Sequence, residues 1–170
     1  MSKKTKAQEL QEQLTWSAPH IGKDAPDHKE KAFKYCEGYK QFLNAGKTER
    51  ECIALTIERA EAAGYKNIKD VIKSGEKVQA GDKIYAVCMN KMIAMFNMGT
   101  KPLEEGMNIL GAHIDSPRID VKQNPLYENE EFAYLDTHYY GGIKKYQWVT
   151  IPLAIHGVIV KKDGTVVNVN

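Results

Sequence analysis

The sequence predicts an α/β protein, and three observations predict it. The first 64 residues carry helical periodicity, the texture turns to strand and turn after Lys66, and from Tyr127 onward aromatic and β-branched residues dominate between glycine-marked turns. At 170 residues, 42% hydrophobic and 27% charged, the chain has a globular composition. Its length suits one domain, or one small domain and part of another.

The elements follow in chain order. Between Pro26 and Ala45, Ala32, Cys36, Tyr39 and Leu43 form an apolar stripe widened by Phe33 and Phe42, and Gly46 stands beyond as a stop. This spacing predicts a helix with one buried face. Thr48-Glu49-Arg50-Glu51 is a capping box that opens a second helix, with Ile53, Ile57 and Ala60 on its inner side and Gly64 closing it. Ser74-Gly75 and Ala80-Gly81-Asp82 then break the chain. From Ile84 to Met98 two patterns compete. Met89, Met92, Met95 and Met98 recur every three residues as on a helix, yet Asn90-Lys91 separates two apolar runs as a hairpin turn does. We take the hairpin, and read the methionines as flexible core filling rather than as thioether ligands for Cu(I).

Residues 109–114 form a short apolar run that predicts a strand buried on both faces, ending near Ser116 because Pro117 cannot donate to a ladder. From Tyr127 the chain reads as all-β. Lys162-Asp163-Gly164-Thr165 is expected to turn a hairpin between residues 158–160 and 165–169. A boundary is marked by Gln123-Asn124-Pro125 and the acidic Glu128-Asn129-Glu130-Glu131. The last residues, 166–170, read as a strand without a closing turn or polar tail, so further sequence is expected after them.

Charge and cysteine usage exclude several classes. A formal net charge of +2 with both signs interspersed, and a single basic cluster at Lys3-Lys4-Thr5-Lys6, lack the footprint of a nucleic-acid-binding protein. No apolar run approaches the ~20 residues that cross a bilayer. Cys36, Cys52 and Cys88 are odd in number and widely spaced, without a Cys-x-x-Cys pair or an apolar leader, which predicts a cytoplasmic chain with reduced thiols, each packed as a small core residue.

The chemistry concentrates in residues 108–120, NILGAHIDSPRID. On a strand, side chains two apart share a face, so His113 and Asp115 are expected to point the same way at the carboxyl end, where α/β sheets hold ligands. A neutral imidazole is a good zinc ligand, and a nearby carboxylate either fixes its tautomer or approaches the metal. The same spacing also describes a hydrogen-bonded core histidine. A zinc site needs about four ligands, and His20, His28, His138 and His156 do not group with His113 in the sequence. Glu104-Glu105 reads as a solvated turn. No nucleophile elbow, phosphate-cradling glycine loop or Cys-His signature is present.

Taken together, His113-Ile114-Asp115-Ser116-Pro117, Val121-Lys122, Tyr140-Gly141-Gly142 and Trp148 resemble the aspartyl aminopeptidase family of two-zinc exopeptidases, and the helical start and the hairpin extend that resemblance over most of the chain. The resemblance implies that His113 binds one zinc and that Asp115 is the catalytic-site carboxylate supporting it. It implies a fold in which residues 1–122 are the amino-terminal portion of a zinc-exopeptidase α/β sandwich and residues 123–170 begin a β-rich dimerisation domain. The family's other ligands and its general-base glutamate lie beyond that insert and have no counterpart here. The implied activity is removal of amino-terminal residues from peptides by metal-activated water. Two zinc ions per site are expected, with other divalent metals able to occupy related sites, and a cytoplasmic homo-oligomer that binds neither nucleic acid nor membrane. Residues 146–153 depart from the eukaryotic members, so the aminopeptidase class is the implied activity and a preference for acidic residues the finer expectation. As it stands the chain is expected to be an inactive amino-terminal fragment; the alternative is a naturally short oligomerisation or binding module.

Overall fold

The structure, a computed structural model, describes residues 4–16, 18 and 26–170; His20 lies outside the described residues. The chain divides into two compact units, Met1–Gln41 and Phe42–Asn170.

In the first unit, helix α1 (Lys6–Leu14) is opened by a capping box in which Thr5 and Gln8 satisfy each other's backbone N–H groups. Helix α2 (Pro26–Ala45) has the bounds its spacing predicts, and its last turn enters the second unit. Its apolar stripe is not buried: Phe33, Cys36, Tyr39 and Leu43 are exposed, and Phe42 is half-buried. Periodicity sets which face of a helix is apolar, not what packs upon it.

The core of the second unit forms around helix α3 (Glu49–Ala62). The Thr48 hydroxyl accepts the Glu51 N–H at 3.3 Å, and the Glu51 carboxylate accepts the Thr48 and Lys47 N–H groups, each at 2.9 Å. Ile53 and Ala60 are buried as expected and Cys52 joins them, while Ile57 is half-buried. Strand β1 (Lys66–Asn67) pairs parallel with β2 (Lys83–Cys88), which pairs antiparallel with β3 (Met92–Asn97). Between β1 and β2 lies α4 (Ile68–Ser74), a helix where strand and turn were expected. Seven residues are too few for the helical period to declare itself. Asn67 caps it by accepting the Lys69 N–H at 2.9 Å, Gly75 stops it at φ 71°, and Val71 completes the core with Ile84 and Tyr85.

The hairpin reading of the methionine segment holds, with its turn one residue earlier than expected. Met89 and Asn90 take φ values of 51° and 55°, and the Lys91 N–H reaches the Cys88 carbonyl at 3.0 Å. Met89, Met92 and Met95 are exposed, as is Cys88, so neither the methionines nor that cysteine fills the core.

The largest departure from expectation is at residues 109–114. They are not a strand; Ile109 is 79% and Leu110 100% exposed. A strand exists only through its ladder, and among the described residues nothing pairs with this run. Pro117 instead precedes strand β4 (Arg118–Asn129), which pairs antiparallel with β5 (Phe132–Tyr140). Between the Val121–Thr137 and Leu126–Leu135 pairs the register shifts, so residues 122–125 bulge out, which accommodates Pro125 inside a strand. Residues 145–148 form a single helical turn, α5 (Lys145–Trp148), inside the section expected to be all-β. Strands β6 (Gly157–Val160) and β7 (Val166–Val169) form the predicted hairpin. The described sheets are thus three and small, set among helices: a mixed α/β chain.

Candidate functional site

The site is built where the loop carrying His113 meets the open end of the β4–β5 hairpin. Arg118, the first residue of β4, pairs in register with Tyr140, the last residue of β5. This register delivers the Tyr140 hydroxyl to Asp115, where it donates to Oδ2 at 2.8 Å. The other carboxylate oxygen, Oδ1, lies 3.1 Å from Nδ1 of His113, which also lies 2.9 Å from the Asp115 carbonyl oxygen. Both partners of Nδ1 are acceptors, so Nδ1 carries the proton. In the neutral ring the lone pair is then on Nε2, and the His113 side chain is 82% exposed.

Charge reinforces this geometry. The Tyr140 hydroxyl, with smaller contributions from the Asp115 backbone and His113, holds the Asp115 carboxyl below the usual carboxylate range. Reciprocally, the bond to Asp115 raises the Tyr140 phenol, so the proton stays on the tyrosine. The Arg118 guanidinium lies 4.2 Å from the Tyr140 ring centroid and is itself held by Asp120 at 2.7 Å and Glu49 at 3.0 Å. Glu49 sits in the first turn of α3, so the site is braced against the one well-packed helix of this unit.

An imidazole with its far nitrogen hydrogen-bonded to a carbonyl and a carboxylate, and its near nitrogen open, is the donor chemistry a zinc ion takes. The His113 ring thus offers the kind of donor a metal ion takes, with Asp115 as its hydrogen-bond support. The two meet as expected, although across a loop rather than on one face of a strand. No three His, Cys, Asp or Glu side chains converge on a metal position among the described residues. His138 faces Asp120 across the hairpin beside the bulge, and Glu104-Glu105 lies in an exposed turn. His156 bonds Glu51 at 2.9 Å through Nδ1. The parts that sequence reasoning missed are the bond from Tyr140 to Asp115 and the bracing by Arg118 and Glu49. Both depend on the β4–β5 register, which the bulge at residues 122–125 hides from any period-two pattern.

The family model described as aminopeptidase I zinc metalloprotease (M18) matches residues 42–170. A curated relative, "Probable M18 family aminopeptidase 1" of Clostridium acetobutylicum, is 60% identical over 137 residues, covering 81% of this chain and 30% of its own. The crystal structure of aminopeptidase I from Borrelia burgdorferi B31 superposes with a TM-score of 0.77 at 40% identity, covering 85% of this chain and 35% of that one. That of the M18 aminopeptidase from Thermotoga maritima gives 0.79 at 37% identity, covering 91% and 33%. The chain thus spans about a third of the length of the relatives it matches. By the family model's match over most of its residues, carrying both the His113 loop and the Tyr140 hairpin, the chain belongs to the M18 family of zinc metalloaminopeptidases.

Proposed function

We propose that His113 is a metal ligand, and Asp115 its supporting catalytic-site carboxylate, in an aminopeptidase that removes amino-terminal residues from peptides. The observation that carries this reading is the His113 ring, its Nδ1 proton committed to Asp115 and its Nε2 open. When bound, two zinc ions, or related divalent metals, supply the Lewis acidity that lowers the pKa of a water and polarises the peptide carbonyl. Within this chain, Asp115 orients the ring and Tyr140 holds Asp115, with the Arg118 guanidinium lying over the tyrosine ring.

The remaining ligands and the general base are assigned to sequence beyond this chain, which serves as the amino-terminal part of the enzyme. Residues 1–122 belong to the catalytic α/β domain and residues 123–170 begin a β-rich dimerisation domain. Two observations support this: Ile109 and Leu110 of the apolar run are left bare, and the relatives are about three times as long. The aromatic surface of β4 and β5, with Tyr127 stacked on Tyr134 at 5.2 Å and Leu126 and Phe132 exposed, suits association into a homo-oligomer. The three free cysteines suit the cytoplasm. A preference for acidic amino-terminal residues is the finer part of the proposal.

The test uses the protein isolated from its source cells. Its intact mass is expected well above 19.2 kDa. It should release amino-terminal residues from a panel of peptides, acidic ones fastest, and lose that activity both on chelation and in His113→Ala. A native product of 19.2 kDa without chelator-sensitive activity would instead establish the short binding module.

A further inference from the structure

We infer that Tyr140 is a positioning residue that sets the tautomer of His113 by clamping Asp115, with Arg118 and the close packing of Gly141 on Pro117 holding the clamp shut. The inference deepens the proposed function and rests on its assignment of His113. His113 and Asp115 lie in a stretch without ladder bonds, so nothing in regular secondary structure fixes their side chains. Among the described residues, the one long-range tie on Asp115 is the Tyr140 hydroxyl, which comes from a residue 25 positions away at the end of β5. The bond at Oδ2 restrains the carboxylate and presents its Oδ1 to His113 Nδ1, adding a second acceptor to the Asp115 carbonyl oxygen that Nδ1 also meets at 2.9 Å.

The tyrosine is fixed in turn from two sides. The Arg118 guanidinium covers the ring, anchored to Asp120 on its own strand and to Glu49 on α3. Beyond it the backbone turns sharply at Gly141, whose φ of 71° favours glycine and where a Cβ would lie 3.3 Å from the Pro117 Cα. The residues immediately after the tyrosine and immediately before the arginine are therefore in contact, and this contact closes the hairpin end that carries the clamp. Tyr140 acts on His113 through Asp115.

The experiment reads the tautomer directly. In the metal-free 170-residue chain labelled with ¹⁵N, long-range imidazole spectra, with the His113 signals assigned by their loss in His113→Ala, report which nitrogen carries the proton. The wild-type chain should show His113 protonated at Nδ1. Tyr140→Phe keeps the ring and its cation contact and removes one hydrogen bond; the ratio of the Nδ1–H to the Nε2–H form should fall about two- to tenfold, the range an ordinary net hydrogen bond commands. If Tyr140→Phe does not fold, Arg118→Gln serves as a second variant and should lower the ratio in the same direction. A wild-type ring protonated at Nε2, or a ratio unmoved in the folded variant, would overturn the inference. Zinc added to the same samples tests the underlying reading separately. The Nε2 signal of His113 should respond at lower zinc than that of His28, which is exposed on α2. If the two respond alike while the tautomer shift stands, the metal-ligand assignment fails and the clamp survives; if His113 responds first but Tyr140→Phe leaves the tautomer unchanged, the clamp fails and the assignment survives.

Discussion

At the scale of single residues, two carboxylates are held below their usual range by groups distant in the sequence, each by a different route. Asp115 is half-buried and tied by a tyrosine. Glu51 sits at the amino end of α3, where burial pushes its carboxyl upward, yet the His156 bond, the Lys47 N–H and Thr48 together outweigh burial and leave it lowered. A carboxyl whose folded value lies below its unfolded one contributes stability above the unfolded pKa and loses it as pH falls through the folded pKa. Glu51→Gln retains the shape of the capping box and removes the charge. It should cost about 1 kcal/mol at neutral pH by urea unfolding, and the difference from the wild-type chain should shrink toward zero as the pH drops below the ordinary carboxylate range. Gly141→Ala imposes both a left-handed φ and the Pro117 contact, and should destabilise the chain by about 1–2 kcal/mol in the same measurement.

At the scale of elements, the tight turns are where this chain carries backbone strain. The β4–β5 hairpin turns through Glu130 and Glu131 at φ values of 50° and 66°, a conformation that glycine and asparagine adopt readily and glutamate does not. Replacing the pair by Asn-Gly should stabilise the chain by about 1 kcal/mol, seen as a rise in thermal midpoint with unchanged far-ultraviolet circular dichroism. This turn also shows what local sequence reveals. Helices α2 and α3 and the β6–β7 hairpin were legible because Gly46, the Thr48–Glu51 box and Asp163-Gly164 are chemical signals confined to a few residues. The β4–β5 turn was not, because two glutamates look like solvated boundary residues. Helix α4 escaped notice because its amino-terminal signal, Asn67, precedes only seven residues.

At the scale of the whole molecule, the apolar surface left exposed is the dominant physical feature. Buried hydrophobics among the described residues reduce to Cys52, Ile53, Ala60, Val71, Ile84 and Tyr85. Ile53→Ala, at 1% exposure, should therefore cost about 2–5 kcal/mol and unfold much of the second unit. Residues 109–114 were read as a buried strand from their composition alone, and composition reports what a segment is suited to, not whether a partner strand is at hand. Leu110→Lys discriminates: in this chain it should change stability by less than about 0.5 kcal/mol, whereas in a longer native protein that covers the run it should be strongly destabilising. The candidate site was legible to the same degree. His113 and Asp115 could be picked out as a pair because they are two residues apart, while Tyr140, Arg118 and Glu49 are brought to them only by the hairpin register and the packing of α3.

The measurement that bears most directly on the account is the zinc content of the protein isolated from its source cells, wild type against His113→Ala, after matched dialysis. If His113 is a ligand, the variant loses at least one zinc per chain and its circular dichroism is unchanged. Equal zinc in both proteins would contradict the account and return His113 to a hydrogen-bonded surface histidine.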